Sequence, residues 1–368
     1  MIQHPIRILH VVTSMGLGGI ETFLMSLYKC IDREKIQFDF LYHTNKKSAF
    51  DDEILSLGGK IFRVEPILIY NILGYKKKVA SILKQHNYQV VHSHLNTKSS
   101  VVLHVAKQCN IPIRIAHSHT NSSGKGLESI IKNFFKLKIN KYNTHRLACS
   151  KEAGEWLFGK NMDFKIIKNS IDSKRFLYNE EIRSNLRADL HIKDDTIVIG
   201  NIARFSEEKN HIFIVDVFKK FNEKCPNSLL LLIGAGHLME QVKEQVSILN
   251  LKNNVIFLGQ KLNANEYLSC MDLFLFPSLF EGLGIVAIEA QVNGLPVLIS
   301  ENLPKELDIT SLIYRMNLST QPQVWAEQLL KMKRKEGLPS YNEIKKSGYD
   351  IYESANVLTE FYITNLKS

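Results

Sequence analysis

Two glutamates eight residues apart, Glu281 and Glu289, stand in the segment FPSLFEGLGIVAIEAQVNGLPVLIS of residues 276–300. The apolar run ending at Pro277 reads as a buried strand and Glu281-Gly282-Leu283-Gly284 as a loop. A helix follows from Ile285 to about Val292, stopped by Gly294 and Pro296. Glycines just ahead of a helix let backbone N–H groups and the positive end of its dipole approach a diphosphate. Eight residues of helix rise ~12 Å, so the two carboxylates can reach different parts of one extended ligand. Either glutamate alone fits a solvated helix face. Both together, at the C-terminal end of a strand where open α/β sheets bind ligands, favour a site.

A second set comes earlier. Arg204 and Lys209 lie five apart in NIARFSEEKN, at the end of another apolar run. By themselves they suit a plain solvated charged turn, as the neighbouring Glu207 and Glu208 make plausible. Gly18-Gly19-Ile20-Glu21 and Gly234-Ala235-Gly236 follow two further apolar runs. His117 and His119, two apart on a strand candidate, point to one face. For His92, His94 and His117, packing or supporting hydrogen bonds is the ordinary reading. No carboxylate or cysteine completes a metal set around them.

The elements that must position these residues are short β-branched runs alternating with helical patterns, which reads as repeated βαβ units. Strand candidates in the first half are 7–12, 38–43, 60–64, 90–94, 113–118 and 145–150. Those in the second are 196–203, 229–234, 255–260, 273–278 and 296–301. Two successive series predict an α/β chain of two Rossmann-like domains facing a central cleft, residues 1–173 and 174–348. The hinge is placed near 172–195. Residues 349–368 form a final helix, with Tyr352, Ala355, Leu358, Tyr362 and Leu366 at helical spacing, expected to pack back on the first domain. The short stretch 301–320 suggests a trimmed last βα unit.

The 368 residues exceed what a single core usually holds. With 45% hydrophobic and 23% charged residues, the composition is an ordinary globular balance with no bias to disorder. Five scattered cysteines, without a C-x-x-C pair, fit buried thiols in a reducing compartment. No secretory leader and no run of ~18 apolar residues is visible, so the expected location is the cytoplasm. The net charge of +10 is uneven: residues 1–173 hold 25 Lys and Arg against 13 Asp and Glu, and the rest 22 against 24. The first half therefore suits an anionic partner.

The 276–300 segment resembles the E-x7-E signature of retaining glycosyltransferases with the GT-B fold, in particular family 4. Other motifs are similar to that family's, in its order. They are the G-G-x-E loop at Gly18, Gly19 and Glu21, and the strand-end histidine in His117-Ser118-His119. Lys168-Asn169-Ser170-Ile171-Asp172 resembles the hinge motif P-N-G-[IV]-D, with Lys168 and Ser170 departing from it. The Arg204/Lys209 pair and the G-x-G at Gly234 and Gly236 follow. The resemblance covers about residues 8–300 and is closest to bacterial capsule and exopolysaccharide transferases.

That resemblance implies a nucleotide-sugar donor, commonly a uridine diphosphate sugar. It also implies a glycan or lipid-linked acceptor, and retaining hexosyl or N-acetylhexosaminyl transfer without metal or other cofactor. It carries catalytic roles to His119, near the reacting sugar, and to Glu281, Arg204 and Lys209. It carries donor binding to Gly18, Gly19, Arg204, Lys209, Gly234, Gly236, Gly282, Leu283, Gly284, Ile285 and Glu289. Within this set Glu289 would hold the ribose and Glu281 the sugar hydroxyls.

A dinucleotide-dependent oxidoreductase shares the fold, but Glu21 replaces the third glycine of the G-x-G-x-x-G counted from Gly16 and would oppose a pyrophosphate. A nucleic-acid binder is disfavoured, since the basic residues lack an aromatic single-strand motif. A non-catalytic partner on a decayed transferase fold is opposed by the intact Glu281, Glu289, Arg204 and Lys209. Finally, GKGLESIIKNFFKLKINKY (124–142) puts Leu127, Ile130, Ile131, Phe134 and Phe135 on one helical stripe flanked by Lys132, Lys136, Lys138 and Lys141. That pattern fits either a core helix or one lying on an anionic membrane.

Overall fold

A computed structural model describes residues 5–16, 18–119, 127–261, 263–334 and 341–367, without the side chains of 69, 127–134, 341–343 and 367. The chain divides into two compact units, one of residues 1–171 with 348–368, the other of 172–347.

The first unit holds strands β1 (Ile6–Val12), β2 (Ile36–Tyr42), β3 (Ile61–Arg63), β4 (Val90–Ser93), β5 (Ile113–Ser118), β6 (His145–Ala148) and β7 (Lys165–Ile166). They form one parallel sheet in the order β3-β2-β1-β4-β5-β6-β7. The second unit holds β8 (Ile197–Ile202), β9 (Ser228–Ile233), β10 (Val255–Gly259), β11 (Leu273–Phe276), β12 (Val297–Ser300) and β13 (Ile313–Met316). These are also parallel, in the order β10-β9-β8-β11-β12-β13. Each sheet therefore winds one way from its first strand and then the other. The loops after β1 and β4, and after β8 and β11, leave in opposite directions, which opens the place where such sheets bind ligands.

Both faces of each sheet are covered, so the strands are apolar almost throughout. On β1, Ile8 and Val12 face one core with Phe38, Phe40 and Val90, while Leu9 and Val11 face the other with Val91 and Ala116. Helices Gly19–Cys30 and Ile351–Lys367 close the first face. Helices Ile72–Gln85, Ser99–Gln108 and Leu127–Tyr142 lie over the second. The terminal helix buries Ile351, Ala355, Leu358 and Tyr362, while Tyr352 is exposed. The inward stripe therefore begins at Ile351, one residue before the spacing suggested. The second unit packs Ile214, Phe218, Val242 and Trp325 around Leu230, Leu232 and Leu275.

Two edge strands escape the apolar-run criterion. β7 has two residues, both exposed, and β13 is half-buried throughout. The stretch 301–320 is not trimmed: β13 pairs with β12, and helix Pro322–Lys331 completes the βα unit. All five cysteines are free, but only Cys270 is fully buried, so the reading of five buried thiols is corrected. Among the described residues no helix is long and apolar enough to cross a membrane.

Candidate active site

In the second unit β8 and β11 are hydrogen-bonded neighbours, so the loops that follow them meet. Leu279 N–H donates to Glu208 O at 2.8 Å, and Asn210 Nδ2 donates to Pro277 O at 3.2 Å. Asn210 adopts the left-handed conformation (φ 56°), which ends the single turn Glu207–Lys209 and starts helix His211–Lys224. That turn delivers Lys209 Nζ to 2.5 Å from Glu281 Oε1. The two side chains are 19% and 9% exposed, and the ammonium also lies 5.6 Å from the centre of the Phe276 ring.

Arg204, on the same loop, is exposed and makes no side-chain hydrogen bond or ion pair among the described residues. Glu208 is turned aside: Ser206 Oγ donates to it at 2.6 Å. That bond, then its own backbone, Lys209 and Arg204, hold its carboxyl below the usual range against some burial. The sequence thus places one cation in an ion pair and leaves the other to solvent.

Gly284 sits in the left-handed region (φ 83°) and serves as the N-cap of helix Ile285–Val292. Gly282 is exposed, and Leu283 and Ile285 are half-buried. Ala287, Ile288 and Ala290 face the core, while Glu289 is half-buried. Its carboxylate accepts no hydrogen bond among the described residues. Burial pushes its pKa up to about 7, with the Arg175 charge pulling the other way. The two glutamates therefore differ: Glu281 has a cation, and Glu289 has unfilled acceptor capacity.

Gly234 and Gly236 follow β9 and pack against the β8 loop. A methyl group at Gly234 would come within 1.9 Å of Ala203 O, and one at Gly236 within 2.2 Å of Phe205 O. Phe205 N–H donates to Ala235 O at 3.1 Å. Backbone against backbone is the steric reason for glycine here.

In the first unit Gly18 caps helix Gly19–Cys30, and Glu21 folds back beside it. Burial raises the Glu21 pKa, while a hydrogen bond from its own N–H opposes the shift. His119 follows β5, where Asn96 Oδ1 accepts its backbone N–H at 3.0 Å. Both of its ring nitrogens are engaged: Nε2 lies 2.8 Å from His94 Nδ1, and Nδ1 lies 3.2 Å from Asn169 Oδ1. His94 Nε2 continues to His10 Nδ1 at 3.0 Å. A parallel chain runs from Tyr362 through His92 Nδ1 (2.7 Å), and from His92 Nε2 to His117 Nδ1 (3.1 Å). Five imidazoles thus lie buried together, and burial is the first cause of the depressed pKa of each. His10 falls to about 3 and His119 to about 4, so the rings are neutral at pH 7.

Neutral rings each offer one donor and one acceptor. With Asn169 Oδ1 accepting from His119, the chain runs His10 to His94 to His119 to Asn169, each ring donating to the next. Two triads, His10/His92/His94 and His94/His117/His119, bring their nitrogens within 4.8 Å, close enough to hold a metal ion. Neither includes a carboxylate or thiolate, so a divalent ion would be buried without charge compensation. Imidazole-to-imidazole hydrogen bonds account for most of these nitrogens. Among the described residues His10 Nε2 has no partner, and His117 has the Ile167 backbone close enough to oppose the fall in its pKa. His94 takes the supporting hydrogen-bond role expected of it, whereas the contacts of Asn96 and Asn169 with His119 were not singled out from sequence.

Residues 182–349 match the family described as Glycosyl transferases group 1, and residues 17–175 match Glycosyltransferase Family 4. The chain is 34% identical to the putative glycosyltransferase EpsF of Bacillus subtilis, over 97% of this chain and 96% of the relative. It is 24% identical to the capsular polysaccharide biosynthesis glycosyltransferase CapH of Staphylococcus aureus, over 98% and 99%. Among solved structures, Anabaena Alr3699/HepE in complex with UDP and glucose has the same fold (TM-score 0.72, 19% identity, 96% of this chain and 95% of that one). Matches on both units, and a relative aligned almost end to end, make this chain a member of the family 4 and group 1 glycosyltransferases, with the GT-B fold.

Proposed function

We propose that this glycosyltransferase takes a hexosyl or N-acetylhexosaminyl group from a uridine diphosphate sugar and passes it, with retention, to a glycan or lipid-linked acceptor. The product belongs to a capsule or exopolysaccharide, and the reaction runs at the inner face of the cell membrane. The observation that carries this reading is the junction of the β8 and β11 loops. There Lys209 contacts Glu281, and among the described residues Arg204 is unpaired and the Glu289 carboxylate accepts no hydrogen bond. The relation to EpsF and CapH supports it, as does the UDP held by HepE on the same fold.

In this reading Arg204 and Lys209 meet the diphosphate, together with the N-terminus of helix Ile285–Val292 reached through Gly282, Leu283, Gly284 and Ile285. Glu289 accepts from the ribose hydroxyls, and Glu281 contacts the donor sugar. Gly234 and Gly236 keep the β9 loop low beside the diphosphate. His119 exchanges Asn169 for a sugar hydroxyl. The bond from the anomeric carbon to the diphosphate breaks, and the acceptor oxygen bonds to the same face of that carbon. The acceptor proton leaves with the departing phosphate oxygen, and no side chain serves as nucleophile. No metal is required, because protein groups meet the developing charge. The test is slow donor hydrolysis across a panel of nucleotide sugars, with and without a chelator. Hydrolysis of a uridine diphosphate sugar that persists in the chelator is expected; abolition by the chelator, restored by a divalent ion, would overturn the metal-free step.

A further inference from the structure

The three helices over the Leu9/Val11 face of the first sheet pack side by side. Inward they bury Tyr75, Val79, Val102, Ala106 and Ile139. Outward they leave Leu73 at 73% and Leu137 at 84% exposed, and Tyr70, on the single turn Ile69–Asn71 just before the first helix, is 87% exposed. Single exposed leucines are ordinary. These, however, stand among lysines. Lys76, Lys77 and Lys78 come after Gly74 and Tyr75 on the helix of Leu73, with Lys78 4.0 Å from Glu65, and Lys138 and Lys141 follow Leu137.

His104, on the middle helix, registers how closely the charges converge. After burial, its pKa is lowered by Lys76, Lys138, Lys141 and Lys107, which come from all three helices. The unit as a whole holds 26 Lys and Arg against 15 Asp and Glu.

Leu127, Ile130, Ile131, Lys132 and Phe134 lie outside the described side chains. Phe135 packs toward the core beside buried Ile139, and Lys136 lies over the Trp156 ring at 5.1 Å.

We infer that this helix layer docks on an anionic lipid bilayer, with Tyr70, Leu73 and Leu137 entering the interface and the surrounding lysines meeting the headgroups. Exposed apolar side chains on a lysine-rich helix layer are the pattern of peripheral membrane attachment, where buried area and charge act together. A nucleic acid would use the lysines but has no place for exposed leucines. The inference deepens the proposal of a lipid-linked acceptor and rests on it for its purpose, since docking would keep the enzyme where that acceptor is.

The test is sedimentation of the full chain with vesicles of phosphatidylcholine alone or mixed with phosphatidylglycerol, at low and high salt. Binding is expected only to the mixed vesicles and is expected to fall with salt. Lys77→Glu with Lys78→Glu should lower it by about tenfold or more, and Tyr70→Ser with Leu73→Ser comparably. All four positions except Tyr70 lie on the outer side of a helix and none is buried, so the variants should fold. Their nucleotide binding and donor hydrolysis in free solution should match wild type. Absence of binding to anionic vesicles, or equal binding by all variants, would overturn the inference. So would binding to duplex DNA that the same lysine changes abolish while vesicle binding persists. Loss of vesicle binding with intact nucleotide binding leaves the donor proposal standing; the converse result leaves docking standing without it.

Discussion

Lys209 Nζ lies 2.5 Å from Glu281 Oε1, joining the loops after β8 and β11. A cation suited to a diphosphate and a carboxylate suited to a sugar thus partly neutralise each other. A diphosphate must compete with Glu281 for Lys209, whereas Arg204 is unpaired among the described residues and exposed.

Arg204→Ala and Lys209→Ala should therefore both depress turnover, by ~3 kcal/mol or on the order of a hundredfold for a lost preorganised donor. They should differ in stability. Arg204→Ala is expected to leave the melting temperature unchanged. Lys209→Ala should lower it, because the Glu281 carboxylate, 9% exposed, loses its partner. Steady-state kinetics with thermal unfolding checks both; wild-type turnover in both variants would remove these residues from the site.

The two carboxylates should separate in calorimetry. Glu289→Ala is expected to weaken free uridine diphosphate, since among the described residues the Glu289 carboxylate accepts no hydrogen bond. Glu281→Ala should spare free nucleotide, because it releases Lys209, and should damage only sugar transfer. Equal losses of nucleotide affinity would contradict the division.

Glu289 also sets a pH dependence. Its folded pKa of about 7 lies above the ordinary 4.5, raised by burial against the opposing Arg175 charge. The folded state keeps this proton longer than the unfolded chain does. The contribution to stability is thus full below about pH 4.5 and is lost as pH rises toward 7. Glu289→Gln should melt above wild type at pH 8 and level with it at pH 4.5. A gain of the same size at both pH values would show that burial of the charge is not the cause.

The histidine chains carry the opposite sign. Their folded pKa values are depressed below 6.5 by burial, to about 3 for His10 and about 4 for His119. Their contribution is present above pH 6.5 and lost as pH falls toward those values, because only the unfolded chain takes up the protons. Circular dichroism melts at pH 7.5, 6, 5 and 4 should show a loss that is smaller in His92→Phe than in wild type. A flat profile down to pH 4 would mean that these rings are not buried neutral.

Most of the fold was legible because parallel strands covered on both faces are continuous apolar runs, as LLLLI at 229–233 is. β7 and β13 were missed for the reciprocal reason: as edge strands they are only partly covered and carry no such run. In the site, the helix start at Ile285 was readable from Gly284, a residue needed at positive φ. The Lys209–Glu281 contact spans 72 residues and depends on β8 lying beside β11, which no local spacing encodes. The second histidine chain was similarly hidden. It closes through Tyr362, 270 residues from His92, and only the return of the terminal helix brings the two together.

The most direct test of the account is calorimetric titration of the purified chain with uridine diphosphate, set beside the same titration of Arg204→Ala and one with a nicotinamide dinucleotide. The account predicts one site per chain for uridine diphosphate, clearly weakened in Arg204→Ala, and no heat from the dinucleotide. No binding of uridine diphosphate, or binding of equal strength in Arg204→Ala, would contradict the claim that the β8–β11 junction holds the donor.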